Sequence, residues 1–337
     1  MTRRHAIIAA ACFGLCFLAP LFIEQDYLLN VLFRVFLFAG VGLAWNLVGG
    51  YAGQLSLGHV AYFGLGGYGL ALFHGKLDFP IWAALLGGVV LAVLAALVIG
   101  RVSFRLRGPY FALSTIAFAE VLRHCAKNLP DVTGGDVGVQ VPQLFTTDHS
   151  RWFYWSAVAL TAAAFAITAA IVRSRFGYSL QAIREDEDTA LACGIDATRT
   201  KLVALLISAA ITAVGGALYA SLYLFIVPDQ MLSIDISTTE IAIPVMLGGA
   251  GTLLGPIVGS VILQTASELF KNLFHEAHLL IYGILIVLVV LFLPEGIVGA
   301  VRQLRSRFTR TTPPKPLIIS SPAVPTAPTS AATANPS

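Results

Sequence analysis

Long apolar runs separated by short polar joints occupy most of the chain, at residues 6–23, 27–48, 55–73, 80–100, 109–124, 152–172, 202–224, 236–248, 253–270 and 279–293. A strand of a membrane barrel needs only about 9 to 11 residues, whereas a spanning helix needs about 20. The runs therefore predict helices, which satisfy their own backbone hydrogen bonds inside lipid. About ten transmembrane segments follow, and eight to eleven are compatible with the run lengths. Runs 109–124 and 236–248 are short for a full crossing and are expected to be broken or half-spanning. The fold class is an all-α polytopic membrane protein.

Composition agrees: of 337 residues 57% are hydrophobic and 12% charged, with mean hydropathy +0.81, far from a soluble domain with about a quarter of its residues charged. The net charge of +3 matters less than where the cations sit. With the amino terminus in the cytoplasm, 15 of the 21 Lys and Arg residues fall on the cytoplasmic side, five fall outside, and Arg34 lies within a run. That bias is the positive-inside pattern and predicts both termini in the cytoplasm. The opening "MTRRHAIIAAACFGLCFLAP" also has the form of a signal peptide. Cleavage would leave an odd number of crossings and destroy the charge bias, so it is read as the first helix. Residues 1–310 form the membrane domain, and the Pro, Ala, Ser and Thr-rich 311–337 reads as a disordered cytoplasmic tail.

Several chemistries are excluded. No phosphate-binding loop occurs, since Gly75-Lys76 is followed by Leu77, so ATP binding and any other cofactor are not expected on this chain. Cys12, Cys16, Cys125 and Cys193 lack metal-ligand spacing and are read as packing residues, and no metal site is expected. Nothing in the sequence points to nucleic acid. Ser56 and His59 share a helical face, but no carboxylate stands near to orient the histidine, so the chain is not read as an enzyme.

The longest polar connection, "RSRFGYSLQAIREDEDTALACGIDATRTK", joins the sixth and seventh runs. Ser179 is a candidate helix start, Leu180 to Cys193 contains no Gly or Pro, and Gly194 is a candidate terminator. The expected product is a short helix across the cytoplasmic face carrying Arg184, Glu185, Asp186, Glu187 and Asp188.

The ordered set "GYAGQLSLGHVAYFGLGGYG", "LRGPYFALSTIAFAE", "AIREDEDTALACGI", "MLGGAGTLLGPIVGS" and "PEGIVG" resembles the permeases of branched-chain amino acid ABC importers, and among them the LivM-type subunit. The likeness spans about residues 27–300 and departs from the family's pattern at Gly108-Pro109 and in the acid-rich "REDED". The resemblance implies the ABC importer permease fold in a bacterial inner membrane. It implies as partners a LivH-type permease subunit, two ABC ATPase subunits and an extracytoplasmic solute-binding protein. "DTALACG" matches the acid-x-Ala-x-x-x-Gly coupling loop of such permeases, which assigns ATPase coupling to Arg184, Glu185, Asp188, Ala190 and Gly194. The implied cargo is leucine, isoleucine, valine or a related hydrophobic amino acid; similar permeases carry urea, short amides or aromatic acids. The alternative from another class is an ion-coupled secondary transporter, for which broken helices and buried acids are also typical.

Eight glycines crowd residues 49–69, beside Gln54, Ser56 and His59. Irregular backbone at membrane depth survives only where protein buries it or a cavity wets it. A break near 53–58 is expected, which makes Gly53, Gln54, Ser56, Gly58 and His59 candidates for the substrate pathway; close helix packing is the other use of such glycines. Gly251, Gly255 and Gly259, and separately Ser208, Thr212, Gly216 and Ala220, recur every four residues as small-residue contact faces. Pro256 is expected to loosen the helix that carries the first set. "GGYAGQLSLG" and "GGAGTLLG" share an outline that a repeat would produce, as would composition alone. Arg34, Glu120 and Glu240 fall within runs, where ionisable groups need partners, and are expected to form a charge cluster that braces helices or lines an entrance.

Overall fold

A computed structural model describes residues 13–21, 23, 25–106, 108–145, 149–273, 283, 287 and 296–300. Every predicted run from the second to the ninth lies on a helix. The first run is described only from residue 13. Most of the tenth and all of the tail lie outside the described residues.

The main helices are α1 (Asp26–Asn46), α2 (His59–Gly75), α3 (Ile81–Ser103), α4 (Pro109–Lys127), α5 (His149–Arg173), α6 (Arg175–Glu185), α7 (Glu187–Ala192), α8 (Ala197–Tyr223), α9 (Ile243–Gly248) and α10 (Gly255–Leu273). Wider π turns extend α1 through Leu47–Tyr51 and lead into α9 through Ile236–Ala242. Among the described residues, five stretches are long and apolar enough to cross a membrane: Asp26–Tyr51, Ile81–Ser103, Ser150–Arg173, Ala197–Tyr223 and Pro228–Gly248. The chain is a mostly helical, multi-pass membrane protein.

Burial separates the centre from the rim. In its most apolar window α1 is 78% buried, against 33% for α3, although α3 is the more hydrophobic. Hydropathy measures compatibility with lipid, not position in the bundle. Helix α1 packs on α5, α8 and α10, while α2 packs between α3 and α8.

Small residues make these crossings close. A Cβ on Gly216 of α8 would overlap the carbonyl oxygen of Phe63 in α2, and one on Gly66 would overlap that of Ala213. Gly69 meets Gly88 of α3 backbone to backbone. With lipid as solvent, dispersion at short range must supply much of the helix association. Part of the glycine cluster thus serves packing. Ser208, Thr212, Gly216 and Ala220 are all buried on α8.

Other expectations are corrected. Gly251 is in the turn before α10, with φ +79, and only Gly255 and Gly259 lie on the helix. Pro256 does not loosen that helix, because α10 begins at Gly255 and proline in a first turn has no intrahelical bond to lose. Gly259 and Gly248 form the tight α9–α10 contact, where added Cβ atoms would overlap the carbonyls of Pro244 and Gly255. Packing does not account for Cys125 and Cys193, which are exposed. At the end of the bundle away from α6 and α7, Val139–Gln140 (β1) pairs antiparallel with Phe225–Ile226 (β2), a feature too short to leave a sequence pattern.

Candidate functional site

The polar connection after α5 is two helices, not one. Ser174, not Ser179, caps α6 by accepting from the Gly177 amide, and Ser179 lies inside the helix bonded to the Arg175 carbonyl. Asp186, extended at φ −157 and ψ 115, ends α6 and caps α7, its Oδ1 accepting from the Thr189 amide at 2.5 Å. That bond, backbone amide first, holds the Asp186 carboxyl below the usual aspartate range. Gly194 closes the segment at φ +83, as its type requires.

Inside this segment, Ala190 is turned inward against Ile183 and Ala197, so its small size serves the segment's own packing. Glu185, Asp188 and Gly194 are exposed, as are Tyr178 and Leu191. Lys201, at the start of α8, is 2% exposed and its Nζ lies 2.6 Å from Glu187 Oε2. This pair pins α7 to α8.

Arg184, exposed on α6, lies along the bundle surface with one nitrogen on the Gly50 backbone. Its Nη1 donates to the carbonyl of Gly50 at 2.8 Å. A Cβ on Gly53 would stand 3.0 Å from Arg184 Cγ, and one on Gly251 would overlap Arg184 Nη1. The two glycines have φ of +67 and +79, a region open to glycine at little cost. Behind them Asn46, fully buried, accepts from the Gly251 amide at 2.8 Å and donates to the Thr252 carbonyl at 2.8 Å.

The two glycine-rich stretches therefore meet at Arg184 and share local features. Each follows a helix containing a π turn, bends at a left-handed glycine beside Arg184, and starts a new helix at Gly58-His59 or Gly255. A cleft of about 490 Å³ lies beside them, lined by Tyr51, Gln181, Arg184, Glu185, Gly251 and Thr252.

The chain is non-helical between Tyr51 and His59, where the break was expected. Gly53 is exposed and Gln54 half-buried at its surface edge, whereas Ser56, Gly58 and His59 are buried. A Cβ on Gly58 would come 2.6 Å from the Thr115 carbonyl of α4. His59 Nδ1 lies 2.9 Å from Ser56 Oγ, and Nε2 lies 2.8 Å from Ser208 Oγ. Ser208 Oγ donates its one hydrogen to the Ala44 carbonyl at 2.7 Å, so it must accept from His59 Nε2–H, and Nδ1 must accept from Ser56. Both ring nitrogens are engaged, and His59 ties α2 to α8 and α1.

Arg34 lies 3.5 Å from Glu240 and 3.9 Å from Glu268. Glu120 belongs elsewhere: it pairs with Arg123 at 2.6 Å, and Arg123 and Lys127 both hold Asp229. Glu268 was missed by sequence reasoning although it falls inside the run 253–270, where any carboxylate is a signal. No group of three or more His, Cys, Asp or Glu residues that could hold a metal occurs among the described residues.

Comparison with known proteins places the chain. The family model described as branched-chain amino acid transport system / permease component matches residues 27–290. The high-affinity branched-chain amino acid transport system permease protein LivM of Salmonella typhimurium is 31% identical over 291 residues, 78% of this chain and 68% of the relative. LivM of Escherichia coli K12 is 29% identical over 290 residues, with the same coverages. LivH of that strain is 27% identical over 283 residues, 78% of this chain and 91% of the relative. No solved structure matches. The chain belongs to the branched-chain amino acid transport permease family, as a LivM-type member.

Proposed function

We propose that this chain is the transmembrane permease subunit of an ATP-driven importer of branched-chain or related hydrophobic amino acids. It works in the bacterial inner membrane with a LivH-type permease, two ATPase subunits and an extracytoplasmic solute-binding protein. The relatives carry the names of branched-chain amino acid permeases, and a phosphate-binding loop is absent from the sequence, so hydrolysis belongs to a partner. In this reading the chain crosses the membrane about ten times with both ends inside, and residues 176–200 face the ATPase.

The observation that carries the mechanism is the reach of Arg184 from α6 to both glycine turns. A push on the exposed face of α6 and α7 is transmitted through that guanidinium to the points where two helical runs break. Left-handed glycines let the breaks pivot, and nucleotide state on the ATPases biases the inward and outward populations. Gly53 and Gln54, together with the exposed Leu55 at the surface of the first break, are in reach of a passing solute.

The test is reconstitution of the permease pair with its ATPases and solute-binding protein in proteoliposomes. ATP-dependent accumulation of labelled leucine is expected, with none on an ion gradient alone. Uptake driven by an ion gradient without ATP would instead identify a secondary transporter.

A further inference from the structure

We propose that the cavity beside Arg34 is a transit site for the zwitterionic head of a hydrophobic α-amino acid. The proposal rests on the importer reading and adds to it a place where the permease itself holds cargo. The cavity, about 290 Å³, lies among α1, the end of α8 and α10, lined by Tyr27, Asn30, Val31, Arg34, Leu222 and Glu268. That is just under the roughly 300–1,000 Å³ range of small-molecule sites. It suits one amino acid rather than a peptide.

The wall carries both charges in an open state. Neither ion pair of Arg34 is closed, at 3.5 Å to Glu240 and 3.9 Å to Glu268, whereas a guanidinium locked on a carboxylate sits at roughly 2.7–2.9 Å. Arg34 Nε is buried without an acceptor, and Asn30 Oδ1 is buried without a donor. The carboxylates are held in place: Gln264 donates to Glu240, and the Tyr27 hydroxyl donates to Glu268 Oε1 at 2.6 Å. Glu268 Oε2 stands between two cations, 3.9 Å from Arg34 and 3.8 Å from Lys271.

A structural brace would draw these pairs together and fill the space beside them. The geometry instead suits a guest with a carboxylate and an ammonium. The planar fork of Arg34 matches a carboxylate. An ammonium has three donors and no acceptor, which suits Glu268 and the carbonyl of Asn30. Val31 and Leu222 offer apolar contact to a branched side chain.

Charge balance selects the class further. Arg34 and Lys271 offset Glu240 and Glu268, so the cluster is neutral. A zwitterion enters it without adding net charge. A simple amine or carboxylic acid would add one net charge to that neutral cluster and leave one end of the site without its partner.

The experiment uses the complete reconstituted complex for uptake and the same complex without its solute-binding protein for equilibrium binding of tritiated L-leucine. Leu222→Trp fills the cavity and leaves every ion pair intact; Arg34→Lys keeps the charge and removes the planar fork. Each is expected to weaken leucine binding about tenfold or more. L-valine should compete, and leucinamide and 4-methylpentanoate should not. Unchanged binding in Leu222→Trp, equal competition by leucinamide, or no binding to the wild-type complex would overturn the site while leaving the importer reading intact. Should Arg34→Lys fail to assemble, Leu222→Trp decides alone. Absence of ATP-driven leucine uptake by the wild-type complex would instead sink the importer reading.

Discussion

Arg184 Nη1 and the carbonyl oxygen of Gly50 are 2.8 Å apart, although 134 residues separate them in the chain. A charged donor from a surface segment thus completes a backbone acceptor freed by the break after α1. Hydrogen bonds to charged groups contribute about 1.5–3 kcal/mol, and less here because the Arg184 side chain is exposed to solvent.

Arg184→Ala is expected to leave the protein folded and the partner ATPases active while leucine uptake falls several-fold. Gly251→Val should do the same more severely, because its side chain would take the place of the guanidinium at a φ of +79. Parallel measurement of ATP hydrolysis and uptake in proteoliposomes checks both. Uptake and hydrolysis falling in equal proportion would point to lost assembly instead of lost coupling.

His59→Leu removes both bonds at once: it strands the Ser56 hydroxyl and takes from Ser208 the donor it accepts, while Ser208 keeps its bond to the Ala44 carbonyl. Unsatisfied buried polar groups cost about 1–3 kcal/mol each, so a clearly lowered Tm in detergent is expected. Ser56→Ala should cost less, because Ser208 still accepts from Nε2. A Tm unaffected by His59→Leu would remove its role as a tie between α2 and α8.

The Lys201–Glu187 pair predicts a second-site rescue. Glu187→Leu leaves a nearly buried ammonium without its partner, and breaking such a pair costs about 3–5 kcal/mol. Adding Lys201→Met to the same chain should restore most of that stability. Limited proteolysis between residues 186 and 200 reads the local effect.

Close helix approach distinguishes glycines that look alike in the sequence. Gly216→Val drives a side chain into the Phe63 carbonyl and should abolish assembly, whereas Gly75→Ala meets nothing within 4 Å and should be neutral. Expression and monodispersity by size-exclusion chromatography compare the two.

Asp186 makes α7 sensitive to acid. Its folded-state pKa is depressed by the Thr189 amide, so the cap contributes fully above the unfolded value, and its contribution is lost as pH falls through the folded one. Asp186→Asn keeps the acceptor and should abolish that pH dependence while retaining α7. Hydrogen exchange at Thr189 across an acid titration measures it.

The local alphabet was enough for most helices: apolar run length placed α1 to α5, α8 and α10 within a few residues, because a backbone in lipid has few options, whereas the first half of the run at 236–248 is a π turn before the six-residue α9. It was also enough for the break at 52–58 and for Gly194, where glycine chemistry is local. Side-chain partnership was not legible. Ser174 rather than Ser179 caps α6 because the turn after α5 decides which hydroxyl meets a free amide. Asp186 interrupts what reads as one helix because an extended aspartate can cap the next. Arg34 met Glu240 and Glu268 while Glu120 went to Arg123, a choice set by which helices are neighbours. The likeness of the two glycine stretches remained ambiguous as composition until Asn46 and Arg184 bound them together. Periodicity and hydropathy act over a few residues, and the contacts that join Arg184 to Gly50 or His59 to Ser208 exist only after the bundle has chosen its packing.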